Sequence, residues 1–144
     1  MHYMFQSSIL TVLLMAGCSA PEVKAPIPST DVSKQQAWRD AEKVTARGDG
    51  RSTVIGAGDS MRPIYGDHTV LVLSKIDYGQ LKSGMQVAYV SRSEVRVVHV
   101  LLEKDGVGWR VKGLNNENED RERVTPNNLI GVVYASFATE QNAD

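Results

Sequence analysis

Glu94 to Lys112 reads E-V-R-V-V-H-V-L-L-E-K-D-G-V-G-W-R-V-K, and this stretch decides the fold class. Its first part, Glu94 to Glu103, is rich in valine and leucine, and the β-branched side chains suit a pleated, half-buried surface. Lys104-Asp105-Gly106 supplies a hairpin turn, and Gly108 to Lys112 (G-W-R-V-K) returns as a second strand. The same pattern recurs outward in both directions. Met85 to Ser91 (M-Q-V-A-Y-V-S) follows a turn at Ser83-Gly84, and His68 to Ser74 (H-T-V-L-V-L-S) and Thr53 to Ile55 precede it. Ile130 to Phe137 forms the last strand. Strands never alternate with helices here, which argues against a Rossmann or barrel plan and for a mostly β domain over residues 49–144.

Upstream, Asp31 to Ala46 contains good helix formers behind capping residues, with Val32, Ala37, Trp38, Ala41 and Val44 on a thin apolar face. Gly48 and Gly50 end it, so a short helix is predicted within 31–48, packed on the domain edge through Trp38.

The composition excludes several classes of function. The net charge of -1 and the mixing of acidic with basic residues give no footprint for nucleic acid. Cys18 is the single cysteine, and the histidines (His2, His68 and His99) lack metal-ligand spacing, so neither an internal disulfide nor a metal-dependent mechanism is expected. No cofactor is called for.

Residues 7–17 read S-S-I-L-T-V-L-L-M-A-G, an apolar run closed by small residues. It is shorter than the roughly 20 apolar residues of a transmembrane helix but suits the apolar region of a secretory signal. With Cys18 it forms L-L-M-A-G-C-S, which resembles a bacterial lipobox. That resemblance implies a signal peptide over 1–17 and lipidation of Cys18, which would hold the mature protein to a membrane. Residues 18–30, with Pro21, Pro26 and Pro28, would form an extended tether. Ser19 after the cysteine implies an envelope protein facing the periplasm, with the outer membrane favoured. The other reading of this segment is a plain secretory signal or a short anchor.

The chemistry centres on Gly56 to Asp67, G-A-G-D-S-M-R-P-I-Y-G-D. A glycine-rich, irregular stretch between strands can expose the Ser60 hydroxyl while its own N–H points at an incoming carbonyl. Ser60-Met61, Pro63 and Gly66-Asp67 together resemble the nucleophile motif of the signal peptidase and LexA-like serine protease superfamily. Glu94-Val95-Arg96-Val97-Val98-His99-Val100 is similar to the strand that carries the base in its histidine-type members, those of the endoplasmic reticulum and archaea. No lysine lies between Ser91 and Glu103, and Arg96 is permanently protonated, so His99 is the natural general base. Lys112-Gly113-Leu114-Asn115-Asn116-Glu117-Asn118-Glu119-Asp120-Arg121 resembles the K-G-D-N-N-x-x-D-D-R segment of the same enzymes. The resemblance covers about Val54 to Tyr134 and implies the superfamily's complex β fold. It also implies a catalytic set of Ser60 as nucleophile, His99 as base and Asp120 as the residue orienting the imidazole. The Ser60 N–H would serve as an oxyanion donor. Met61, Pro63 and Ile64, with Tyr65 beside them, are candidates for a substrate cleft, and could equally be edge packing.

The implied activity is endopeptidase cleavage of extended peptides with small residues before the scissile bond. The sequence departs from the family pattern at Leu114, Glu119, Met85, Val100 and Gly58. Those departures keep a second reading open, a catalytically inactive peptide-binding or envelope-complex module on the same fold. Self-cleavage in the linker, as in LexA-type proteins, is a third.

Overall fold

The computed structural model describes residues 29–139. The expected signal peptide, Cys18 and nearly all of the tether lie outside the described residues. Within them the chain is mostly β, as the sequence predicts. One helix, α1 (Lys34–Thr45), precedes seven strands: β1 (Arg51–Ile55), β2 (Val70–Ser74), β3 (Gln86–Val90), β4 (Arg96–Lys104), β5 (Trp109–Lys112), β6 (Arg123–Val124) and β7 (Leu129–Phe137). A single 3-10 turn, Tyr78–Gln80, lies between β2 and β3.

All strands join one antiparallel sheet in the order β1-β2-β7-β3-β4-β5-β6. The closing strand β7 is therefore central, inserted between β2 and β3. Register shifts interrupt β2–β7 between Val72 and Leu73, β3–β7 between Ala88 and Tyr89, and β4–β5 between Leu101 and Lys104. Such bulges sharpen the twist and bend of a sheet. The pairing of β4 changes partner along its length. Arg96 to Val100 face β3, whereas β5 joins from Val100 onward, opposite Lys112. The outer edge of β4 from Arg96 to His99 is thus free of a neighbouring strand among the described residues. Strand β1 is a second open edge, and the two-residue β6 ends the sheet on the opposite side.

Three apolar clusters hold these layers. Leu81, Val87, Tyr89, Leu101, Val111 and Val124 fill the β3–β6 half. Ala37 and Ala41 of α1 pack on Val70 and Val72, with Val32, Trp38 and Val44 at the margin, which is the thin helical face read from the sequence. Ser33 caps this helix by accepting the Gln36 N–H at 3.3 Å. Met61, Tyr65 and Leu71 form the third cluster, beneath the glycine-rich stretch.

Several strand boundaries differ from expectation by one or two residues, and two of the shifts have a clear local cause. The second strand starts at Val70, because His68 has φ 67 and its N–H is used by the Gly56 carbonyl at 3.0 Å. The β4–β5 turn lies one residue later than Lys104-Asp105-Gly106, since Lys104 still belongs to β4 and the Asp105 N–H donates to the Gly108 carbonyl.

Candidate active site

Strand β1 ends at Ile55, and the chain enters the motif segment through Gly56. Gly56 donates to the Thr69 carbonyl at 2.8 Å, so the segment leaves and re-enters the sheet at one point. A side chain at Gly56 would press on the Thr69 and Gly66 carbonyls at 3.3 and 3.4 Å. Gly58 takes φ +84, a conformation that L side chains rarely adopt, and its N–H donates to Asp67 Oδ1 at 2.5 Å. Asp67 therefore braces the residues just before the serine.

Asp59 to Tyr65 then coil tightly. The Arg62 N–H donates to the Asp59 carbonyl and the Ile64 N–H to the Met61 carbonyl, both at 3.0 Å, and the Arg62–Pro63 peptide is cis. Met61 and Tyr65 are buried and anchor this coil against Leu71. The Tyr65 hydroxyl donates to Gln86 Oε1 at 2.9 Å, and burial pushes its phenol well above the ordinary tyrosine range. With its two apolar anchors inside, the coil leaves Ser60 facing a cleft.

His99 reaches the same place from β4, where it is 6% exposed. Its Nε2 lies 3.1 Å from Ser60 Oγ, and its Nδ1 lies 2.5 Å from Asp120 Oδ2. Asp120 arrives on the loop after β5, whose end is pinned by the Asp120 N–H donating to the Val111 carbonyl at 2.9 Å. An ionised carboxylate only accepts hydrogen bonds, so the imidazole proton sits on Nδ1 and Nε2 is left to accept from the serine. The structure brings together Ser60, His99 and Asp120, in the connectivity that a hydroxyl nucleophile needs.

Sequence reading missed two further contributors. The Tyr89 hydroxyl on β3 donates to the same Asp120 Oδ2 that His99 uses. Nothing in the sequence pointed its hydroxyl at a carboxylate. The second is the backbone of Gly113 to Asn116, where the Asn115 N–H donates to the Ser60 carbonyl at 2.8 Å.

Beside Ser60 opens a cleft of about 750 Å³, lined among others by Gly56, Gly58 and Met61, by Val95 and Val98, and by Asn116. Met61 lines it as the sequence suggested, and Tyr65 does too. Pro63 and Ile64 are not among its lining residues, and Ile64 is exposed. Ile55 and Val95, both solvent-exposed, also border the cleft, at the ends of the two open sheet edges. Among the described residues no group of three or more His, Cys, Asp or Glu side chains could hold a metal ion, and no helix is long and apolar enough to cross a membrane.

No protein-family model matches the chain, and no curated protein matches it.

Proposed function

We propose that this protein is a serine endopeptidase of signal-peptidase-like type, acting on extended peptides. The observation that carries the reading is the hydrogen-bonded line Ser60 Oγ–His99 Nε2, His99 Nδ1–Asp120 Oδ2, opening onto a cleft between two unpaired strand edges. In the first step Ser60 Oγ attacks the scissile carbonyl carbon while His99 Nε2 takes its proton. Asp120 holds the resulting imidazolium. As the tetrahedral intermediate collapses, the C–N bond breaks and His99 returns the proton to the departing amine. Water then attacks the acyl-enzyme by the same route, releasing the acid and restoring Ser60.

The Ser60 N–H has no protein acceptor among the described residues, which leaves it able to donate to the developing oxyanion. The edges of β1 and of β4 at Arg96 to His99 offer main-chain groups to an extended substrate, so the peptide would be added as a strand. The Cys18 lipobox resemblance adds a location: an accessory protease of the bacterial envelope, held to a membrane by lipid and facing the periplasm.

The test is cleavage of a mixed peptide library by the soluble body, residues 30–144, beside Ser60→Ala and His99→Ala. Cleavage that both substitutions abolish is the expected result. A folded parent that neither cleaves nor reacts at Ser60 with a serine-directed acylating probe would instead favour a peptide-binding module.

A further inference from the structure

We propose that Tyr89 is a positioning residue that holds the Asp120 carboxylate in line with His99; in its catalytic part this rests on the peptidase reading above. Tyr89 is 2% exposed and sits in the apolar cluster of Val87, Leu101, Val111 and Val124. That environment suits a phenylalanine. A buried hydroxyl is costly unless it is bonded, and this one has a partner in Asp120 Oδ2. Burial, reinforced by the Asp120 charge, pushes the phenol far above the ordinary tyrosine range, so it stays a donor throughout the working pH of an enzyme.

The geometry gives the bond its purpose. Tyr89 pairs across the sheet with Val97, and His99 is two residues further along the same face of β4. The two rings meet edge to face, with centroids 6.5 Å apart and planes at 62°. Both polar tips then converge on one oxygen of a residue that itself sits on a loop. Asp120 is tied at its backbone through Val111, but that bond leaves its side chain free to rotate. Two donors from the rigid β3–β4 pair fix the rotation. The carboxylate is therefore already aligned when His99 becomes imidazolium, and the transition state needs no reorientation of the acid.

The test has two arms. In steady-state cleavage, Tyr89→Phe is expected to lower kcat about tenfold, the scale of one hydrogen bond to a charged group. KM should stay within about twofold, and an Asp120→Ala background should show no further loss on adding Tyr89→Phe. In the second arm, proton NMR follows the His99 Nδ1–H in Ser60→Ala protein, which needs only a folded chain. Its resonance should shift or exchange faster on adding Tyr89→Phe, and likewise on adding Asp120→Ala. An unmoved resonance with Tyr89→Phe would overturn the hold on Asp120, whatever cleavage does. Equal kcat losses in both backgrounds, or an unchanged kcat, would overturn its catalytic purpose. A resonance that moves in a protein that cleaves nothing would sink the peptidase reading and leave the hold standing.

Discussion

The Asn115 N–H donates to the carbonyl of Ser60 at 2.8 Å, tying the coil that carries Ser60 to the loop that carries Asp120. The contact is possible because Gly113, two residues earlier, has no side chain. A Cβ there would stand 2.8 Å from the Ser60 carbonyl oxygen and 2.7 Å from Asn116 Nδ2.

Gly113→Ala should therefore injure the site more than the fold. We expect kcat/KM to fall by at least about tenfold as the serine is displaced from His99. Unfolding free energy should fall by about 1–3 kcal/mol, the usual cost of overpacking. Urea denaturation beside peptide cleavage measures both.

Asp120→Asn keeps the shape of the orienting group but adds a donor where an acceptor is needed. The amide can face His99 Nδ1 with its NH2, which favours the imidazole tautomer with the proton on Nε2, the nitrogen that must accept from Ser60. A loss in kcat on the order of 10³–10⁴ is expected, with KM close to the parent's. A loss confined to KM would refute the assigned role.

Ile55 and Val95 border the cleft on its two open edges, each with 56% of its surface exposed. Replacing both by aspartate should leave stability within about 0.5 kcal/mol per site, because neither is buried. KM for apolar extended peptides should rise about tenfold while kcat holds, since these contacts serve substrate and transition state alike. Cleavage rates over a range of peptide concentrations separate the two constants.

Far from the site, Asp105 organises the β4–β5 turn. It accepts from Arg123 Nε at 2.6 Å and from the N–H groups of Gly108 and Val107. The Arg123 hydrogen bond, then those two backbone donors, hold its carboxyl down at about 2 against an ordinary 3.8. A carboxyl lowered by folding stabilises the fold above its unfolded value and loses that contribution as pH falls through its folded value. The stability difference between parent and Asp105→Asn should thus be constant above about pH 5 and shrink between about pH 4 and 2. Urea midpoints across that range are the check.

The strands were legible because valine-rich runs separated by Gly-containing turns need no tertiary information. Helix α1 was legible from the spacing of Ala37, Trp38, Ala41 and Val44. Strand β6 was not, for Arg123–Val124 is too short to show a period and exists because Trp109 and Arg110 of β5 pair with it. Of the site, Ser60, His99 and Asp120 could be named from motif resemblance and chain order, and the structure places them within hydrogen-bond reach. Adjacency to a serine says nothing about which way a tight coil turns its side chains, so the sequence could not separate Met61, which lines the cleft, from Pro63 and Ile64, which are not among its lining residues. Tyr89 and Asn115 were invisible for a related reason. One acts through a hydroxyl whose partner is 31 residues away, the other through a backbone N–H that any residue but proline possesses.

Those separations also govern when the site exists. Ser60 lies 39 positions before His99, and His99 lies 21 before Asp120. The serine's coil rests on β2, while the histidine and the carboxylate belong to the β3–β6 half, which is hydrogen-bonded into one sheet with β2 through the last strand, β7. A partly made chain holds the individual side chains without their alignment. The line Ser60–His99–Asp120 is thus a property of the finished sheet, in which the carboxy-terminal strand β7 joins the two halves that carry it.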